Sequence, residues 1–375
     1  MNFWGTIVLF ALATLLCLGQ NPDGKTSRRE SPSDRVLSGF RGQVRICVQE
    51  TTYPAVTSSN GKQFPEWTQR TESDFDQEGR LVSTRNRNSD GSFWMVRNTY
   101  ASGKLLKTTW GKEGEPPKVT SYAYDDQGRL SSITDSSAPD NPTTFHYDEH
   151  GRKTKVQKSR AADYRSNVGF AGSPMQVADS RPNLPGGGTA ITTYDDNDRR
   201  VEVRIRDAQG TEVSRTVSVY DEQGKVTEEK QILDDPLNLI PADARARILA
   251  NSGASGADLR EQLKKFMGGH EGPNSESYSY DAQGRVKETR RRIFNQDGTI
   301  ETTYNEQGDV AVEIRRSLPG SNEQEQTLPA QNSEAHFTYQ YDDHGNWTEK
   351  VTSNPSSPGA PFETTGTIRR TLTYF

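Results

Sequence analysis

One six-residue phrase, Tyr-Asp-x-x-Gly-Arg, recurs along the chain and restricts its fold more than any other feature. Its copies run from Phe75-Asp76 to Gly79-Arg80, Tyr124-Asp125 to Gly128-Arg129, Tyr147-Asp148 to Gly151-Arg152, Tyr194-Asp195 to Asp198-Arg199, Tyr220-Asp221 to Gly224-Lys225, Tyr280-Asp281 to Gly284-Arg285, Tyr304-Asn305 to Gly308-Asp309 and Tyr341-Asp342 to Gly345-Asn346. A ninth, degenerate copy is Tyr100-Ala101-Ser102-Gly103-Lys104. Uninterrupted copies lie 23 to 26 residues apart, which defines a unit of about 24. Three longer intervals, of 47, 60 and 37 residues, each hold a break in the pattern: a Gly/Pro/Ser-rich stretch at 159–188, an Ala-rich stretch at 235–270 and a polar stretch at 317–331.

Each residue type in the motif suits a tight turn. Asp fits the first position of a type I turn, where its carboxylate accepts from the backbone two residues on, and Gly fits the fourth, where φ is often positive. The flanks alternate at period two, as in Tyr122-x-Tyr124, Tyr278-x-Tyr280 and Tyr339-x-Tyr341 before the turn and Val226-x-Glu228 after it. A second turn signal between copies, at Asp90-Gly91, Gln209-Gly210 or Asp297-Gly298, makes one unit two strands and two turns. The expected fold is therefore mainly β: a repetitive antiparallel β-hairpin ribbon, solenoid-like or an open curled sheet, with a short two-helix insertion. Such a ribbon buries residues only between neighbouring units, which reconciles 375 residues with a hydrophobic share of 30%. The motif Tyr, Asp, Gly and Arg residues read as structural, although tyrosines left exposed on one face would stack on sugar rings.

On these copies the chain resembles the YD-repeat, or Rhs-repeat, family of bacterial envelope and secreted proteins, over roughly Phe75 to Phe375. The resemblance implies a β-ribbon that curls into a shell. In the large members that shell encloses a toxic C-terminal domain, and this chain reads as a short member without the toxin core. The resemblance also brings in carbohydrate as a ligand class.

Residues 1–19 read as a signal peptide: an apolar run from Phe3 to Leu18 is followed by the small Gly19 and the polar Gln20-Asn21-Pro22. Residues 20–37 read as a flexible linker and 38–375 as the repeat array. The expected location is exported: periplasmic, outer-surface or secreted. Membrane attachment enters only through an N-terminal segment left uncleaved. The two cysteines, Cys17 and Cys47, leave one outside the apolar run, so no disulfide framework or thiolate metal site is expected. With 46 Lys+Arg against 51 Asp+Glu and a net charge of −5, nucleic acid is not an expected partner. Carbohydrate or another envelope protein is.

Within 235–270 the period switches to that of a helix. Pro241 suits the first position of one helix, with Ala244, Ile248 and Leu249 on a shared face and Asn251-Ser252-Gly253 at its end. Ser255 and Asp258 read as the capping box of a second, which places Leu259, Leu263, Phe266 and Met267 on one stripe. A helical hairpin packed on the sheet is expected. His146 and His150 flank a turn rather than share a helix face, His150 and His344 decorate motif turns, and His270 and His336 show no acid or cysteine partner. Asp195-Asp196-Asn197-Asp198 lacks the spaced carboxylates and distal Glu of a calcium loop. No catalytic, cofactor-binding or metal-ligating set emerges. The expectation is an exported, non-catalytic structural or ligand-binding protein. The alternatives are an accessory or remnant of a toxin-enclosing shell and a glycan-active enzyme with its site at the helical insertion.

Overall fold

A computed structural model describes residues 33–375 apart from 58–60, 89–90, 159–186, 241, 254, 268, 295, 318–319, 322–326, 329–331 and 358. The expected signal peptide, residues 20–32 of the expected linker and nearly all of the first insertion lie outside the described residues.

The expected hairpin array is present, and its sheet closes on itself. From Trp67–Phe75 to Phe362–Tyr374 each long strand pairs antiparallel with its neighbour in the chain. The first strand, Val44–Tyr53, fills the remaining gap, with Trp67–Phe75 on one side and Phe362–Tyr374 on the other. The result is a closed 20-stranded antiparallel β-barrel. Closure removes both unpaired edges that an open strip would present.

Every motif turn lies on the same rim, because each unit contributes one strand toward it and one away. The turns have one construction. In Asp125–Arg129 the Gly128 N–H donates to the Asp125 carbonyl at 2.8 Å and the Asp125 N–H to the Arg129 carbonyl at 2.8 Å, and the strand register shifts beside Tyr124. This is a type I turn closed by a bulge, which needs a left-handed residue at the glycine. Gly128 has φ 79° there, and in the one copy without glycine Asp198 takes φ 61°. The degenerate copy instead closes a two-residue turn, with Ser102 and Gly103 at φ 49° and 76°.

The opposite rim carries the irregular connections, including the breaks after residues 158, 232 and 317. Gln209-Gly210 turns there as expected, with Asp207 in the role of the motif Asp. Asp297-Gly298 does not: both lie inside the strand Gln296–Tyr304, and the turn falls earlier, at Phe294, which has φ 56°. Gly298 is there for closeness, since a Cβ would sit 3.1 Å from the Arg316 carbonyl oxygen. The helical insertion forms as Ala242–Ser252 and Gly256–Phe266, preceded by a 3-10 turn at Pro236–Leu239. Ser255 and Asp258 make the capping box, Leu259 and Met267 are buried, and Arg260 pairs with Asp235 at 2.7 Å. Phe266, expected on the packed stripe, is 46% exposed and lies against Phe294 instead.

Burial is confined to one face of the sheet. Cross-strand pairs Tyr122↔Ile133, Phe145↔Val156 and Val156↔Ala190 run in a row along it and, with Leu105, form the larger apolar cluster. Threonines share this face and are equally buried, among them Thr84, Thr108, Thr120 and Thr143. The smaller cluster, Phe40, Val44, Cys47, Phe75 and Leu81, sits where the first strand meets the last.

Candidate functional site: the motif rim and the closing junction

Each motif first binds itself and then the next unit. In the Asp125 turn, carboxylate Oδ1 accepts from the N–H of Gln127 at 3.1 Å and of Arg129 at 2.8 Å, and Oδ2 accepts from Arg129 Nε at 2.8 Å. Asp148, Asp195 and Asp281 repeat this set, and Asp76 does so with Arg80. The cation held this way lies over the next unit's tyrosine: Arg129 over Tyr147 at 4.6 Å, Arg152 over Tyr194 at 5.1 Å, Arg199 over Tyr220 at 4.9 Å and Arg285 over Tyr304 at 4.3 Å. Arg80, Lys104 and Lys225 cover Tyr100, Tyr124 and Tyr280 alike. Each tyrosine hydroxyl then donates back to the carbonyl after that cation, as Tyr147 to Leu130 and Tyr124 to Leu105, both at 2.8 Å, and Tyr280 to Val226 and Tyr304 to Val286. Tyr194 and Tyr220 do the same to Lys153 and Arg200. One ring face and the hydroxyl of these tyrosines are therefore engaged within the protein, and all seven side chains are partly buried rather than exposed.

Three copies that depart from the motif, those of Phe75, Asp309 and Asn346, meet at the closing junction. Phe75 has no hydroxyl to give; it is 3% exposed and packs edge-on against Phe40 at 5.7 Å. In the last two copies the cation is replaced by Asp309 and Asn346, and the next tyrosines bond side chains instead. Tyr341 donates to Asp309 at 2.7 Å, and Tyr374 donates to Asp342. Gly308 and Gly345 keep the turn, with φ 88° and 78°. Residues 33–43 cross this junction. The part of the expected linker that is described, 33–37, is a capped helical turn, Asp34–Leu37, rather than a free tether, because Arg35 is 8% exposed and donates to the carbonyls of Val44, Asp76 and Gln77.

Electrostatics follow the same division. At Asp125, Asp148, Asp195, Asp281 and Asp342 partial desolvation works against ionisation, but hydrogen bonds to the carboxylate outweigh it and hold each below the ordinary range. Asp34 goes the other way, raised by burial despite its bonds from the Leu81 N–H and the Tyr100 hydroxyl. Beside the junction, burial pushes Arg370 down to about 10 and Cys47 up to about 11. Arg370 stacks on Trp347 at 3.4 Å.

An acid limit to stability follows. Carboxyls with depressed folded-state pKa values contribute stability that is present above the unfolded value of about 3.9 and is lost as pH falls through the lower folded values. Asp34, raised by burial, contributes in the opposite sense. Thermal melts from pH 5 down to pH 2 are expected to hold a plateau to about pH 4 and then fall steeply; an unchanged midpoint at pH 2 would contradict the motif bonding described.

The histidines do not converge. His150 lies 3.6 Å from Glu149, His270 contacts Arg292, and His344 stacks on Tyr374 at 4.0 Å. His336, unpartnered by sequence, bonds Glu334 two residues away at 2.7 Å and stacks on Phe362; alternation puts residues i and i+2 on one face of a strand, a signal that a search for helical spacing passes over. Among the described residues no three His, Cys, Asp or Glu side chains are grouped to hold a metal ion. Among the described residues, charged side chains lie on both faces of the barrel wall. The register sets Glu72 beside Arg85, and Glu288 beside Glu301, on one face, and Glu229, Glu276 and Arg291 in a row on the other.

No protein-family model matches the chain, and no curated protein matches it. Among solved structures, it is similar to the crystal structure of TcdB2-TccC3-Cdc42, with a TM-score of 0.38 and 13% identity over 83% of this chain and 15% of that one. A porin-like protein from Bacteroides uniformis gives a TM-score of 0.32 and 10% identity over 87% of this chain and 97% of that one. The Photorhabdus luminescens Tc holotoxin pore gives 0.25 and 13% over 81% and 16%. The similarity to the TcdB2-TccC3 shell is thus distant but extends over most of the chain, which spans under a fifth of the length of the Tc chains it matches.

Proposed function

We propose that this protein is an exported, non-catalytic shell of the YD/Rhs-repeat type that binds a carbohydrate or protein ligand at the cell envelope or outside the cell. The observation that carries the reading is the division between the rims. One rim uses its Tyr, Asp and Arg side chains to hold unit to unit. The other presents the helical hairpin and the exposed aromatic side chains Trp67, Phe64, Phe266 and Phe362. Trp67, half exposed, is stacked on one face by Tyr53 at 4.4 Å. Ligand contact is therefore assigned to the irregular rim. Export is supported by the apolar run from Phe3 to Leu18, and attachment through the barrel wall is disfavoured by the charges on both its faces.

A second reading, a shell that encloses a polypeptide, is favoured by the strand number, since side chains fill the interior of a barrel of about eight strands but not of twenty. The test is the full-length protein, exported with its own N-terminus, presented to a glycan array and to solubilised envelope proteins. Binding without turnover, weakened by Trp67→Ala and unaffected by Tyr220→Phe, is the expected result. Glycan hydrolysis abolished by a single carboxylate substitution would replace this reading with an enzyme. A polypeptide that co-purifies and resists protease until the barrel is unfolded would favour the enclosing shell.

A further inference from the structure

Nineteen of the ring's twenty junctions join strands that are also neighbours in the chain, and only the junction between Val44–Tyr53 and Phe362–Tyr374 does not. Two strands joined by a tight turn cannot part along their whole length, because the turn tethers them, whereas the first and last strands of the ring share no connection and can part from rim to rim. It is also there that residues 33–43 lie across the motif rim and bind both sides. Toward the first unit, the Arg35 N–H donates to the Gly79 carbonyl at 2.9 Å, and Asp34 accepts from the Leu81 N–H at 2.8 Å. Toward the last two units, the Arg41 guanidinium donates to the carbonyls of Gly345 and Gln307, both at 2.9 Å. Asn346 then holds the Arg41 backbone from both directions: its Oδ1 accepts from the Arg41 N–H at 2.6 Å and its Nδ2 donates to the Arg41 carbonyl at 2.8 Å.

From this we infer that residues 33–43 are a clasp, and that the barrel opens at the terminal junction when the clasp is released. The loss of the motif cation in the last turn belongs to the same device: Asn346, standing where the motif has arginine, holds the backbone of Arg41, carried in from the other end of the chain. The inference does not depend on what the shell binds. It does say how anything wider than the rim openings would enter.

Hydrogen exchange on the full-length protein tests it. Arg41→Ala is expected to speed amide exchange at least tenfold in Val44–Tyr53 and Phe362–Tyr374 while leaving Lys104–Lys112 and Lys118–Tyr124 at wild-type rates. Thr52 and Thr367 face each other across the junction, in an antiparallel register whose Cα spacing suits a disulfide. A Thr52→Cys/Thr367→Cys bridge added to the Arg41→Ala chain is expected to restore slow exchange when oxidised and to release it when reduced. Exchange that rises uniformly round the ring, stays at wild-type rates, or ignores the bridge would overturn the clasp. Glycan or protein binding plays no part in the readout, so failure here would leave the proposed function standing, and the reverse.

Discussion

Asn346→Arg restores the motif consensus in the last turn and is expected to destabilise the protein by about 2–4 kcal/mol. Asn346 is 3% exposed, accepts from the Arg41 N–H and donates to the Arg41 carbonyl and to Tyr374. Arginine has donors only, so the part-buried Arg41 N–H would lose its acceptor, a loss toward the lower end of the roughly 1–3 kcal/mol that an unsatisfied buried donor costs. The longer side chain must also displace packed neighbours, and overpacking costs about 1–3 kcal/mol more. The matched control is Lys225→Arg, the same restoration in a turn away from the junction. Lys225 already lies over Tyr280 and its N–H already donates to Asp221, so an arginine there adds only the Nε bond to the second carboxylate oxygen that the other turns possess. Its expected effect is neutral to slightly stabilising. Urea unfolding of both variants decides the matter: equal effects, or a stabilised Asn346→Arg protein, would show that the departures from the motif are drift rather than fit.

The same contrast explains what was legible in the sequence. The motif turn was readable because its causes are local: Asp125 binds residues two and four positions on, and Gly128 answers a single backbone angle. The capping box at Ser255 and Asp258 was readable for the same reason. What joins one unit to the next was not, since Arg129 reaches Tyr147 and Tyr147 reaches back to Leu130, and the motif records both residues without recording that they touch. Closure was further from view. It rests on Val44–Tyr53 pairing with a strand more than 300 residues away, in a segment without a motif copy. Its trace in the sequence was three imperfect copies, those with Phe75, Asp309 and Asn346, which gather at the junction, but imperfect copies elsewhere, such as those with Asp198 and Lys225, hid that signal.

Closure also sets how the protein should respond to a hole in its core. Phe145→Ala is expected to cost about 3–5 kcal/mol, because Phe145 is 5% exposed, lies opposite Val156 and belongs to the larger apolar cluster, and a rigid wall cannot collapse onto the cavity. Val219→Ala, at a site 46% exposed, is expected to stay within about 0.5 kcal/mol. The shape of the transition separates a ring from a strip. In an open repeat array, stability is a sum of units and nearest-neighbour interfaces, so a damaged unit lets the units beyond it unfold separately. Here each strand has a partner on both sides and the array has no free end, so unfolding one unit exposes two new edges at once. Phe145→Ala should therefore lower the urea midpoint of a single transition with an unchanged slope, seen alike by tryptophan fluorescence and far-UV circular dichroism. Two separated transitions, with the tryptophans of the first units melting apart from the bulk of the sheet, would mean that the terminal junction does not couple the units and that in solution the barrel behaves as a strip.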